Sequence, residues 1–126
     1  MSILIGRHIA EKAGGVLRGG LYPVVAKRGA SATPYGVYGT EALEADPSKD
    51  GGVYDRVTVW ALVAGRTYSE AADGAQALRE ALEHRGGDYA AFVVEDCELC
   101  GVQDGYDEAG ELYTVGLKFL FTTINC

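Results

Sequence analysis

At 126 residues the chain is long enough for one hydrophobic core and too short for two comfortable ones, and 48% hydrophobic with 23% charged residues excludes an intrinsically disordered composition. A net charge of −7 argues against a binder of the nucleic-acid backbone, which needs clustered cations, whereas Arg7, Lys12, Arg18, Lys27 and Arg28 are thinly spread. Gly6-Arg7-His8 interrupts the apolar start too early for a secretory signal, no apolar run nears the roughly 20 residues that span a bilayer, and three cysteines fit a reducing compartment, so the expectation is a cytosolic protein with no membrane partner.

Residues 2–14 predict a first helix, with Ile5, Ile9 and Ala13 as its apolar stripe and Gly14-Gly15 as its stop. Leu21-Tyr22-Pro23 follows as an extended connection, because proline biases Tyr22 away from helix. Residues 27–33 are small and polar and form a loop. Pro34 to Thr40 predicts a strand in which Gly36 and Gly39 mark a bulge or a close backbone approach.

An acidic connection over 44–52 leads into the clearest unit of the chain, a strand that runs into a capped helix. From Tyr54 to Ala64, side chains alternate: Val57, Val59, Ala61 and Val63 point one way, and Arg56, Thr58, Trp60 and Leu62 the other. This strand should pair antiparallel with 35–43. Thr67 and Glu70 match a capping box, and Ala71, Ala75, Leu78 and Leu82 form the buried stripe of a second helix that Gly86-Gly87 ends.

Tyr89 to Leu99 and Glu111 to Thr123 predict a long hairpin around an Asp- and Gly-rich turn at 103–110. Tyr113, Val115, Leu117, Phe119 and Phe121 share one face, expected to be buried, and a mostly polar face lies opposite. The fold expected is α+β: a single domain over 1–126, a mainly antiparallel four-stranded sheet with two helices packed on one face. Leu78, Leu82, Ile5 and Ile9 should meet the Tyr113–Phe121 face.

Candidate chemistry is thin. Cys97-Glu-Leu-Cys100 is a lone Cys-x-x-Cys pair on a strand, where odd spacing puts the sulfurs on opposite faces; zinc wants four ligands and a redox pair wants a helix start. Asp46 to Gly51 imitates the first half of a calcium loop, but the closing position is Val57. Asp104, Asp107, Glu108 and Glu111 crowd an exposed turn, and His8 and His84 are expected on helix surfaces. No catalytic, cofactor-binding or metal residues are expected, and no cofactor. Trp60, with Arg56 on an outward strand face, and Tyr35 and Tyr38 on the neighbouring strand are the candidate interface residues, since aromatics on a polar sheet face are enriched where proteins meet. Burial beneath a loop or the other hairpin is the equal alternative.

Taken together, Leu21-Tyr22-Pro23, Pro34-Tyr-Gly-Val-Tyr38, Arg56-Val-Thr-Val-Trp-Ala-Leu-Val, Thr67-Tyr-Ser-Glu-Ala-Ala and the closing Phe119-Leu-Phe resemble the tail-completion, or tail-terminator-like, proteins of tailed bacteriophages and prophages over nearly the whole chain. The Gly-rich stretch 14–20 and the Cys97/Cys100 pair depart from that pattern. The resemblance implies a non-enzymatic homo-oligomer, commonly a hexameric ring. Such a ring caps the tail tube, ends its growth and offers a surface to the head. It implies tail tube protein and head–tail connector proteins as partners, and assembly in the host cytoplasm before residence in the virion tail. An acidic ring would let DNA pass without sticking. The alternatives are a head–tail connector or minor tail subunit, a small-ligand-binding or enzymatic α+β domain, and a thiol-redox or metal protein.

Overall fold

The strand–helix unit forms as its pattern predicts. The computed structural model describes residues 4–24, 32–45 and 54–125. The small-residue loop, the acidic connection and the half calcium loop lie wholly or largely outside them. The elements are α1 (Gly6–Ala13), β1 (Leu21–Pro23), β2 (Tyr35–Ala45), β3 (Tyr54–Gly65), α2 (Tyr68–Leu82), β4 (Gly87–Asp88), β5 (Phe92–Asp107) and β6 (Leu112–Asn125).

Thr67 stands in extended geometry and its Oγ1 accepts from the Glu70 amide at 3.1 Å. The Glu70 carboxylate reaches back and accepts from the Arg66 amide at 2.8 Å, one residue earlier than in a standard capping box. Together they satisfy donors that the first turn leaves without partners. Ala71, Ala75, Leu78 and Leu82 are all buried on the sheet, as their spacing requires. Ile5, Ile9 and Ala13 of α1 join them over Val57, Val59, Ala61 and Val63 of β3 and Val115, Leu117, Phe119 and Phe121 of β6. Both helices therefore pack on one face.

The sheet has six strands in the order β1-β2-β3-β6-β5-β4, curled into a half-barrel, where four were expected. Leu21–Pro23 joins the sheet, pairing parallel with Gly36–Tyr38, and Pro23 is tolerated because β1 is an edge. Gly87–Asp88 adds the other edge against Val93 and Val94. The β2–β3 pairing is antiparallel as expected, with a bulge between Thr40 and Ala42.

Three boundaries differ from the local signals. The hairpin runs on through the Asp- and Gly-rich segment, with Gln103 opposite Gly116 and Tyr106 opposite Tyr113, because ladder pairing with β6 overrides turn propensity. Tyr113 is exposed rather than buried: it lies where the hairpin outruns α2, whose first residue, Tyr68, packs edge-on against it. Helix α2 stops at Leu82, ahead of the glycines. Glu83 turns extended, its carboxylate accepts from the Leu99 amide at 3.0 Å, and the His84 amide donates to the Cys97 carbonyl at 2.8 Å. His84 takes the left-handed turn with φ 59.

Helix and sheet approach closely at Gly74. A Cβ there would stand 2.9 Å from Val63 Cγ1 and 3.2 Å from both Leu17 Cδ2 and Pro34 Cβ. Overpacking of this kind costs about 1–3 kcal/mol, more than the roughly 1 kcal/mol that alanine gains over glycine within a helix. Gly74→Ala is therefore expected to lower stability by about 1 kcal/mol, seen as a lower urea midpoint at constant slope.

Candidate interaction face

The β-ladder fixes what the other face of the sheet presents. Val37 stands opposite Leu62, Gly39 opposite Trp60, Leu62 opposite Gly116 and Trp60 opposite Lys118. Among the described residues, no helix or strand covers this face, and open recesses make a trough along it. Two recesses flank Leu62. One, about 470 Å³, is bounded by Trp60, Glu41, Gln103 and Lys118; the other, about 450 Å³, by Val24, Tyr35, Val37 and Leu112. Gly101, Gly105 and Gly116 line the trough between them.

Trp60 owes its position to a glycine. A Cβ on Gly39 would stand 2.7 Å from Trp60 Cζ2, so the indole lies against bare backbone. This is the close backbone approach that a glycine inside a strand signals. Lys118 Nζ, beside the ring, pairs with Glu41 Oε2 at 3.3 Å, both half-exposed.

Of the residues singled out in the sequence, Tyr35, Trp60 and Arg56 lie on this face, Arg56 opposite Glu44 and Thr122. Tyr38 does not join them. It is paired with Ala61, so its ring points to the helix side, packs on the core and reaches the backbone of Gly6, and burial raises its phenol pKa. Its parity with Gly36 rather than with Tyr35 was the available signal.

A second apolar surface was missed. At the free end of the β5–β6 hairpin, on the helix side, Tyr113 makes edge contacts with Tyr106 at 5.0 Å and Tyr68 at 6.4 Å. Val102 adjoins them and is 60% exposed. Tyr68 donates its phenol hydrogen bond to Asp104 at 2.9 Å, which raises the Tyr68 pKa. Tyr106 fell in the segment assigned to a turn and Tyr113 on a face assigned to the core.

The histidine and cysteine candidates resolve plainly. His84 is exposed beside Asp96 at 3.3 Å. His8, expected at the surface, is fully buried: it continues the Ile5, Ile9, Ala13 stripe at helical spacing. Its Nδ1 lies 2.9 Å from the Tyr89 hydroxyl, its ring meets Phe121 edge-on, and Nε2 has no partner among the described residues. Burial, reinforced by Lys12 and partly opposed by Glu11, lowers its pKa to about 4. Cys97 is buried with its thiol pKa pushed up chiefly by burial, while Cys100 is exposed, its thiol 3.4 Å from the Lys118 carbonyl. The two are on opposite faces, as their spacing implied. Among the described residues no cluster of three or more His, Cys, Asp or Glu side chains could hold a metal.

Two outcomes follow. His8 is held neutral in the fold, so its contribution is fully present above an unfolded pKa near 6.5 and is lost as pH falls toward about 4. Stability should drop on the order of 1 kcal/mol per pH unit in that window. Urea titrations of His8→Phe against the parent chain should show the slope flattened, with the exposed His84 as control. At the trough, Gly39→Ala must displace the indole, and a red shift of Trp60 fluorescence with little loss of stability is expected.

No protein-family model and no curated protein matches the chain. A solved structure does: a chain in the virion of a native gene transfer agent particle is similar over 94% of this chain and 84% of that chain, at 15% identity and a TM-score of 0.65. What this chain shares with that virion protein is its fold, an α+β domain with two helices and a curled, mixed six-stranded sheet.

Proposed function

We propose that this chain is a structural subunit of a phage-like virion. In this role residues 1–126 act as one tail-terminator-like domain that assembles with copies of itself into a ring. The ring sits on the end of the tail tube, ends its growth and joins tail to head. The observation that carries the reading is the trough, left uncovered by the described residues, where Tyr35, Trp60, Val37 and Leu62 stand on an otherwise well-packed sheet. Aromatic and aliphatic side chains in open recesses are surfaces for protein contact. The fold likeness to a virion chain and the tail-completion-like segments at Leu21–Pro23, Pro34–Tyr38 and Arg56–Val63 support the same direction.

The work is contact rather than chemistry, and no cofactor takes part. The partners are further copies, tube protein and head–tail connector proteins. Assembly takes place in the host cytoplasm, and the finished protein resides in the virion tail. Its net negative charge suits a ring through which DNA slides, because like charges repel.

Polymerising the tube protein of the same virion with and without this chain tests the role. Tubes of limited length, each bearing a ring at one end in negative stain, are expected. Unlimited growth in the presence of excess protein would overturn termination; unlimited growth together with rings at the junction of heads and tubes would assign a head–tail connector instead.

A further inference from the structure

Strand β5 is hydrogen-bonded on both sides over only part of its length. On the side away from β6, β4 pairs with Val93 and Val94, and the Tyr89 amide donates to the Phe92 carbonyl. Farther along, the His84 amide donates to the Cys97 carbonyl, and the Glu83 carboxylate accepts from the Leu99 amide. Among the described residues these contacts stop there, while the pairing with β6 runs on to Asp107. Past the bulge between Leu99 and Gly101, Val102, Asp104 and Tyr106 stand opposite Leu117, Val115 and Tyr113, in phase with Leu99 opposite Phe119. Their amides and carbonyls therefore point away from β6, as the Leu99 amide does. We propose that this edge takes up an extended segment of another protein, in which aliphatic residues alternate with lysine or arginine.

A row of backbone donors and acceptors selects an extended chain, and the two sides of the edge select its side chains. On the helix side, Tyr68, Ala72 and Gln76 of α2 and Leu99, Val102 and Leu117 of the sheet bound a hollow of about 150 Å³. An apolar cavity of about that volume holds a benzene-sized group, so an aliphatic side chain fits. Val102 is 60% exposed at its rim. On the open face, Glu98 and Asp107 flank the free stretch, and β5 as a whole carries Glu95, Asp96, Glu98, Asp104 and Asp107 with no lysine or arginine. Arg79, which borders the hollow, is paired with Glu83 at 2.7 Å, and Lys118, opposite Gly101, is paired with Glu41 at 3.3 Å. Alternation along an added strand would place its aliphatic side chains in the hollow and its cations beside Glu98 and Asp107.

The same charges turn away a second copy. Strands β1, β2, β4 and β5, which carry the open edges of the sheet, contain no lysine or arginine. Beyond its short pairing with β1, β2 bears Glu41 and Glu44. Setting β5 against β5, or β5 against β2, would bring carboxylates opposite carboxylates. The contact therefore calls for a partner of different sequence, and it does not depend on termination of a tube.

The probe is a fluorescein-labelled heptapeptide, Lys-Val-Lys-Val-Lys-Val-Lys, titrated with the full chain by fluorescence anisotropy. Binding is expected, with amide exchange slowed at Val102, Asp104 and Tyr106, and a peptide with glutamate in place of lysine should not bind. Two further peptides carry backbone N-methyl groups, one on the valines and the other on the lysines. Only one set of amides faces β5, so one of these should bind tenfold or more weakly while the other binds like the parent peptide. Val102→Pro removes an edge N–H that β6 does not use and should weaken binding to the same degree. If that variant fails to fold by circular dichroism, the methylated peptides and the exchange data on the parent chain decide the matter. Absence of binding, equal binding of both methylated peptides, or unchanged exchange at the three amides would overturn the proposal. Self-association of the chain that Val102→Pro abolishes would also overturn it and assign the edge to a second copy.

Discussion

Everything in this fold hangs on the β3–β6 ladder. Val57 faces Phe121, Val59 faces Phe119, Ala61 faces Leu117 and Val63 faces Val115, four apolar pairs in register at the centre of the sheet. Because side chains alternate, a slip of either strand by one residue would turn its apolar set outward and bring its other face, Arg56 and Trp60 of β3 or Lys118 and Thr122 of β6, beneath the helices. The register is therefore specified by burial, and it fixes both faces at once. The side that buries valine and phenylalanine receives α1 and α2, and the side that carries Trp60, Leu62 and Lys118 becomes the trough. Core and open face come from one pairing.

The helical layer is shorter than the sheet it covers, and that mismatch creates the second surface. Helix α2 begins at Tyr68, while β5 and β6 run on beyond it to Asp107 and Leu112. Residues that parity assigns to the core face, Val102, Tyr106 and Tyr113, consequently end in the open. Tyrosine suits such a position because it is amphipathic and loses little conformational freedom when it is ordered. A fully covered hairpin would have needed a longer helix.

Much of the fold was legible because its strongest signals are local and periodic. The β3 alternation, the Thr67 cap and the Ala71–Leu82 stripe each placed an element and its buried face without tertiary information. Trp60 was legible as an outward aromatic for the same reason, whereas Tyr35 and Tyr38 were singled out together although their parity differs. What failed depended on distant partners. Leu21–Pro23 is a strand only because β2 accepts it, and Tyr106 is in a ladder only because Tyr113 lies opposite. His8 shows a subtler failure: its spacing from Ile5 and Ile9 put it on the apolar arc, but polarity weighed more than position, and the Tyr89 hydroxyl that accommodates it lies 81 residues away in sequence.

Two exposed apolar surfaces on one small chain would ordinarily invite precipitation. The distribution of charge answers this. A net charge of −7 opposes unselective approach between copies, and the exposed hairpin end carries Asp104, Asp107, Glu108 and Glu111. On the open face of the sheet Lys118 pairs with Glu41 and Arg56 stands opposite Glu44, so each of these cations is set against a carboxylate. Screening by salt lowers the repulsive barrier, so the chain stays best dispersed at low ionic strength.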